Sequence, residues 1–510
     1  MPESIAIWSP FVSICRRSES SVSSRVTACA SSSGFVPSTS RPLSPSLTAS
    51  KTVLMVAGEF PPMKTIGRIR SAKFAQHLTE LGWKVVVLTV ESNEDSPVYD
   101  ASLETEIAAG VEVFRAPNPD LETTTVKWIK RLLGRTIPSV HASQHPTATS
   151  PISNQPSALS SSIFNIPVRL FKYVIKHWVN IPDNYLLWSR HAYHYALQIC
   201  ADQKIDIVYT SLPPFSAAFV GYRIKRRLGI PWVVDYRDLW YRDVLREWIG
   251  PVRQRLELAL ERHLLKQADI IITVSAQKTA YLKQMVPDTK ACWETLTNGY
   301  DPEIYEPLLT EPRKIDDVID FTFTGRLFKN RRGYAFAEAL GQLVEAEPAL
   351  KDRVLVHILG GVSPEIRDRY WEILNKYGIN QMFEFAGDVS YQEAMRAQVH
   401  TDYLLLIVDT GATSDGVIPG KLFEYVAARR PIFALTDPGA TKEIIEQAGI
   451  GRVVPAESVA ECKAALRSIL ASEVPRRLTR NEAYLSQFER KSISLRLARI
   501  FESIVRTKFV

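Results

Sequence analysis

Gly416-Val-Ile-Pro-Gly-Lys-Leu-Phe-Glu-Tyr-Val-Ala-Ala-Arg-Arg-Pro-Ile-Phe-Ala-Leu435 reads as a loop, a short helix and a buried strand. Pro419 and Gly420 interrupt the chain just before Lys421, residues 422–428 have helical spacing, and Pro431 leads into the apolar run 432–435. The helix therefore starts beside Lys421. Its unpaired N–H groups and positive dipole end, next to an ammonium, suit a phosphate. Glu424 follows one turn in, where a carboxylate accepts hydrogen bonds from ribose hydroxyls. Phosphate and ribose together point to a nucleotide. A plain loop-helix-strand unit with a solvated Lys and Glu would carry the same letters, so the neighbouring segments decide between the two.

Working outward, residues 321–324, 354–359, 383–386 and 403–408 are strand-like, and helical patterns separate them. An earlier set precedes the turn Asn298-Gly299-Tyr300-Asp301: runs 52–57, 84–90, 205–210, 231–235 and 270–274, with helical spacing over 69–81, 215–228 and 276–285. Two successive sets of alternating strands and helices predict an α/β chain with two doubly wound, Rossmann-like domains. Such domains bind ligands at the C-terminal ends of their strands, so two of them facing each other form a cleft.

At 510 residues and 45% hydrophobic content, the chain can bury about two cores. Its net charge of +7 favours anionic partners, but no basic run is dense enough to argue for nucleic acid. The five cysteines are scattered, without metal spacing, as expected in a reducing cytoplasm. No stretch reaches the roughly 18 apolar residues that a spanning helix needs.

Residues 1–50 are Ser-rich and read as a disordered tail; their arginines give them a transit-peptide flavour, but no apolar core segment follows. Residues 138–162 form a Ser/Pro/Thr/Gln-rich loop. The stretch 163–188 then interleaves aromatics with Arg169, Lys172, Lys176 and His177. It reads either as a basic amphipathic helix lying on an anionic membrane face or as a helix packed on its own domain.

The turns after strands carry the remaining candidates. Gly58-Glu-Phe-Pro-Pro62 follows the first strand, and Gly67 opens the next helix, where the lack of a Cβ lets a ligand approach. No G-x-G-x-x-G is present, which argues against a dinucleotide site. Asp235 and Asp238 stand at the end of the 231–235 run, on the cleft. Thr324-Gly325-Arg326 ends the first strand of the second set, with Lys329, Arg331 and Arg332 just after it. An arginine there can grip a diphosphate bidentately.

Over about residues 51–505 these pieces resemble glycosyltransferase family four, of the GT-B fold. The matching segments are Gly58-Glu-Phe-Pro-Pro with Gly67-Arg68, Asp269-Ile-Ile-Ile-Thr-Val-Ser275, Thr297-Asn-Gly-Tyr-Asp301, Thr324-Gly-Arg326 with Arg332-Gly333, and Pro419-Gly-Lys-Leu-Phe-Glu-Tyr425. The resemblance implies an acceptor domain over 51–295, a nucleotide-sugar donor domain over 296–485, and a last helix within 486–510 that crosses back to the first domain. It implies retaining transfer of a sugar to a glycan or lipid-linked acceptor, as in cell-surface polysaccharide synthesis. Gly67, Gly325, Arg326, Arg332, Pro419, Gly420, Lys421, Leu422 and Glu424 become donor-binding candidates, with Arg326, Lys421 and Glu424 closest to the chemistry; Lys329 competes with Arg332. Asp235 and Asp238 fall on the acceptor side. The family's Glu-x7-Glu pair ends at Glu424, but its first member falls on Gly416.

The sequence contains no Asp-x-Asp, so neither a metal nor another cofactor is expected, and cations with a helix N-terminus are expected to neutralise the departing diphosphate. The family picture lets that phosphate help deprotonate the acceptor. The expected setting is the cytoplasm, peripheral to the inner membrane face. A non-catalytic nucleotide-sugar binder, which Gly416 favours, and a nucleotide-sugar epimerase on the same fold are the alternatives.

Overall fold

The computed structural model describes residues 51–119, 180–241, 249–313, 317–471 and 479–507. The Ser-rich segments 1–50 and 138–162 lie outside them.

The first half runs β1 (Thr52–Ala57), α1 (Ile66–Glu80), β2 (Lys84–Val90), β3 (Glu112–Ala116), α2 (Leu186–Asp202), β4 (Ile207–Leu212), α3 (Ala217–Leu228), β5 (Trp232–Tyr236), α4 (Pro251–Leu265), β6 (Ile270–Thr273), α5 (Ala276–Met285) and β7 (Cys292–Thr295). Its seven strands pair in the order β3-β2-β1-β4-β5-β6-β7, all parallel. The second half runs α6 (Pro302–Leu309), β8 (Ile319–Thr324), α7 (Tyr334–Ala346), β9 (Val354–Leu359), α8 (Pro364–Tyr377), β10 (Phe383–Gly387), α9 (Tyr391–His400) and β11 (Tyr403–Ile407). It continues through α10 (Gly420–Ala428), β12 (Ile432–Leu435), α11 (Ala440–Ala448), β13 (Gly451–Val454), α12 (Val459–Leu470), α13 (Glu482–Leu485) and α14 (Arg490–Thr507). Its six parallel strands pair as β10-β9-β8-β11-β12-β13.

Both sheets are doubly wound. Each reverses strand order between its first strand and the strand that crosses over beside it: β1 next to β4, and β8 next to β11. A crevice opens at such a switch point, outside the carboxyl ends of the strands. The central strands β1, β2 and β4 are covered on both faces, which is why their sequences are continuous apolar runs.

The chain passes between the halves twice. Going out, the Tyr300 N–H donates to the Phe488 carbonyl at 3.1 Å; coming back, the Arg490 N–H donates to the Tyr300 carbonyl at 2.9 Å. Helix α14 then returns to the first sheet. Ile493, Leu497, Phe501 and Val505 on one face of it join the core formed by Val53, Met55, Phe74, Leu78 and Trp83. Trp83 and Phe501 meet edge to face at 5.5 Å between centroids. The GT-B architecture expected from the resemblance, with its helix crossing back, is the architecture observed.

The segment expected to form one helix over 163–188 departs from that reading where it is described. A cis Ile181–Pro182 bond and a turn precede α2, which starts only at Leu186. Trp188 is fully buried, and its Nε1 donates to the Thr89 carbonyl at 3.2 Å. Residues 180–188 therefore belong to the first domain's body, while 163–179 lie outside the described residues.

Candidate active site

A cavity of about 470 Å³ lies where the C-terminal strand ends of the two sheets face each other. The first half lines it with Glu59, Gly67, Arg70, Arg237, Asp238 and Lys278, and the second with Arg331, Val417, Gly420 and Glu424. Thr297 and Asn298, on the way out, and Arg490, on the way back, close its floor.

The first wall is built of ion pairs. Gly67 is the second residue of α1, and a Cβ there would lie 1.7 Å from Glu59 Oε2 and 1.9 Å from Arg237 Nη1. The missing side chain makes room for the Glu59–Arg237 pair, in which Arg237 Nη2 donates to Glu59 Oε2 at 2.8 Å. One turn on, Arg70 donates from Nε to Asp235 Oδ2 at 2.7 Å and from Nη2 to Asp235 Oδ1 at 3.0 Å. Tyr209 adds its hydroxyl to Asp235 Oδ2 at 2.5 Å. Burial works against the Arg70 charge, but Asp235 more than offsets it, so the guanidinium pKa lies above its ordinary value. Arg70 also donates to the carbonyls of Leu296 at 2.9 Å and Thr297 at 2.6 Å, tying α1 to the linker.

Asp235 therefore does not face an acceptor. It is wholly buried, and both its oxygens serve Arg70. Asp238, three residues on, does line the cavity and is exposed; Lys278 Nζ donates to its Oδ1 at 3.2 Å and to the Arg237 carbonyl at 2.7 Å.

The second wall is different. β8 is followed by Gly325 with φ +138°, and a Cβ there would lie 2.2 Å from Lys421 Cε. Only glycine accepts both that backbone and that contact. Lys421, in the first turn of α10, thus runs across the strand end. Among the described residues it has no carboxylate within ion-pair distance. Burial pushes its ammonium below the ordinary lysine pKa, Glu424 opposes the shift and Arg331 adds to it. Glu424 is steadied by Gln398, whose Nε2 donates to Glu424 Oε2 at 3.2 Å and to Thr324 Oγ1 at 2.9 Å, while the Tyr305 hydroxyl holds Gln398 Oε1 at 2.7 Å. Tyr425 joins the two motifs directly: its hydroxyl accepts from the Thr324 N–H at 3.0 Å.

The other candidates separate. Gly420 lines the cavity, and Pro419 is the N-cap of α10. The Leu422 side chain is core, fully buried, and its N–H donates back to the Pro419 carbonyl at 3.0 Å. Arg326 is exposed and lies over the loops after β9 and β10; a Cβ at Gly361 would be 3.2 Å from its Nε and 3.4 Å from Asp388 Oδ1. Arg332 turns outward to Glu457, 3.9 Å away, and Lys329 is exposed at φ 49°. Arg331 is the arginine of this loop that lines the cavity, where it is paired with Asp409. Sequence reasoning passed over Arg331 in favour of its neighbours, because three basic residues within four positions give no sign of which one turns inward. Gln398, Tyr305 and Lys278 carried no local signal at all.

Gly416 packs against the first half. Its carbonyl accepts from Ser275 Oγ at 2.8 Å, and a Cβ on it would stand 3.1 Å from Lys278 Cγ. Tyr281 donates its hydroxyl to Asp415 Oδ1 at 3.3 Å beside it. Among the described residues no group of three or more His, Cys, Asp or Glu side chains is placed to hold a metal ion.

The glycosyl transferase 4-like domain model matches residues 68–292, and the glycosyl transferases group 1 model matches residues 309–485. The chain is a family four glycosyltransferase. No curated protein matches it. Among solved structures, sucrose-phosphate synthase from Thermosynechococcus elongatus is similar with a TM-score of 0.58 at 15% identity, over 90% of this chain and 100% of that one. Anabaena Alr3699/HepE in complex with UDP aligns at TM-score 0.56 and 13% identity, over 89% and 100% of the two chains. An E. coli structure described as trehalose-6-phosphate bound with UDP-2-fluoro glucose aligns at TM-score 0.58 and 12% identity, over 88% and 99%. At such identities the likeness is one of fold. In the glycosyltransferase frame, the position of the family's first glutamate is the buried Gly416, in contact with α5.

Proposed function

We propose that this glycosyltransferase takes a sugar from a nucleoside-diphosphate donor and passes it, with retention, to a hydroxyl of a glycan or lipid-linked acceptor. The observation that carries the reading is Lys421, a half-buried ammonium at the start of α10 that has no carboxylate within ion-pair distance among the described residues, with Glu424 one turn further along. A cation partly withdrawn from water and left unpaired carries a desolvation cost that an anion would offset. A diphosphate fits, since the helix N-terminus adds its dipole and the ribose then falls toward Glu424. That HepE is solved with UDP and the E. coli protein with UDP-2-fluoro glucose supports a uridine diphosphate-type donor.

The chemistry follows from the charges. The bond between the anomeric carbon and the donor phosphate oxygen breaks, and the pair of electrons leaves with the diphosphate. Lys421, Arg331 and the α10 N-terminus stabilise that charge where it develops. The acceptor oxygen bonds to the anomeric carbon, and its proton passes to the departing phosphate. No metal enters this scheme. Arg326, over the loops after β9 and β10, is assigned in this reading to the outer part of the nucleotide. Cell-surface polysaccharide synthesis at the cytoplasmic face of a membrane is the setting that suits a lipid-linked acceptor. Among the described residues no helix is long and apolar enough to cross a membrane. Retention of the protein on anionic liposomes at low salt, lost when Lys172 and Lys176 are changed to Glu, tests a surface attachment.

The deciding experiment is turnover of a nucleotide-sugar panel, scored by release of the nucleoside diphosphate with and without lipid-linked acceptors, in a chelator. Product of unchanged anomeric configuration is expected. Inverted product, or activity that returns only with added metal, defeats the mechanism.

A further inference from the structure

Six cations line the cavity: Arg70, Lys73, Arg237, Lys278, Arg331 and Arg490. Every one of them meets a carboxylate. Arg70 meets Asp235 at 2.7 Å, Arg237 meets Glu59 at 2.8 Å and Lys278 meets Asp238 at 3.2 Å. Lys73 at 3.3 Å and Arg490 at 2.7 Å share Asp301, and Arg331 meets Asp409. Glu59, Asp238 and Glu424 line the cavity themselves, whereas Asp235, Asp301 and Asp409 hold their partners from outside its lining, so each of the six cations reaches the cavity already paired. Lys421, without a carboxylate within ion-pair distance among the described residues, stands behind Gly325 on the donor side.

On the strength of the glycosyltransferase reading, we propose that the accepting unit enters the first half of the cleft uncharged: a sugar ring or other polyol, not a sugar phosphate. A phosphate dianion there would have to displace Glu59 from Arg237 or Asp238 from Lys278, and would bring two negative charges up to those carboxylates. Like charges held at such contact cost several kcal/mol. Hydroxyls do not meet that obstacle. Each can donate to a carboxylate oxygen and accept from a guanidinium or ammonium N–H in the same pair. Ile66, at the cavity edge and 83% exposed, adds an apolar surface that suits the C–H face of a ring rather than an anion. The same pairing lets a lipid-linked sugar enter ring first with its phosphates left outside.

The test uses the full chain. Binding of glucose, glucose 6-phosphate and inorganic phosphate is measured by calorimetry, with and without saturating UDP, for the wild type, Asp238→Asn and Glu59→Gln. Any phosphate binding that UDP displaces belongs to the donor side. In what remains, the wild type is expected to hold glucose 6-phosphate no more than about threefold tighter than glucose. Freeing Lys278 or Arg237 is expected to tighten glucose 6-phosphate tenfold or more and glucose far less. Asp238 is exposed, so its variant folds even where that of Glu59 does not. A wild-type preference of tenfold or more for glucose 6-phosphate overturns the proposal, and so does the lack of any gain in a folded Asp238→Asn. Release of nucleoside diphosphate from the donor panel is read separately. Its failure counts against the glycosyltransferase mechanism and leaves the acceptor comparison to be decided by the binding ratios.

Discussion

In the wall contributed by the first sheet, Arg70, Arg237 and Lys278 are each matched by a carboxylate, and Asp235 is sealed beneath the surface. Across the cleft, Lys421 is half-buried and has no such match among the described residues. Each sheet buries its central strands and leaves its outer ones partly exposed. β1, β2 and β4 are buried on both faces, whereas β9 alternates buried and half-buried residues and β10 is partly exposed. On that open face His357 sits between Asp320 and Glu384. One half spends its charges on holding itself and the linker in place, and the other keeps a charge unspent. Ion pairing in the first half is structural; the missing pair in the second is what a ligand would complete.

The contrast is open to attack at several points. The largest effect is expected from Asp235→Ala, which strands Arg70 in the interior. Breaking a buried pair in this way costs about 3–5 kcal/mol of stability, read by denaturant unfolding. A loss under 1 kcal/mol would mean that Asp235 does not anchor α1 to the linker.

Lys421→Met should do the reverse. Donor affinity or turnover should fall by about 2–4 kcal/mol, the range for losing a desolvated partner of a charged ligand. Stability at neutral pH should hold or rise, because an uncompensated cation has been removed. Arg326→Ala, at an exposed site, should cost less in the same kinetic assay. Equal losses of stability and activity in Lys421→Met would erase the contrast between the halves.

Gly325→Ala sharpens the geometry. It forces a side chain into the left-handed region and against Lys421 Cε, and overpacking of this kind costs about 1–3 kcal/mol. Activity should fall further than stability does.

The smallest effect concerns His357. Asp320, 3.6 Å away, raises its pKa above 6.5, partial burial opposes that, and Glu384 adds to the rise. The protonated form is therefore favoured on folding. Its contribution is complete below pH 6.5 and is lost as pH rises through the folded pKa. His357→Asn should flatten that part of the stability profile, by less than ~1 kcal/mol for a partly exposed pair. A slope unchanged by the substitution would assign the pH dependence elsewhere.

What could be read from the letters alone follows burial. β1, β2, β9 and β12 are seen at the residues where the apolar runs predict them, since a strand covered on both faces, or one that alternates regularly, writes its period into the sequence. β3, β7 and β13 were not read as strands. They are sheet edges, half exposed, and carry mixed residues such as Glu112, Arg115, Glu294 and Arg452 that give no run. The Pro-Gly-Lys start of α10 was legible because a helix N-terminus is a local event.

The sequence by itself therefore determined two doubly wound sheets, the helix start at Lys421 with Glu424 one turn on, and the missing glutamate at Gly416. Only the tertiary structure decided that Asp235 is spent on Arg70, 165 residues away, that Arg331 and not Arg326 or Arg332 turns into the cavity, and that Lys421 has no carboxylate within ion-pair distance among the described residues. The physical reason is range. Periodicity and capping depend on a few neighbouring residues, whereas the pairing of a charge depends on which distant strand end the fold brings within about 3 Å of it.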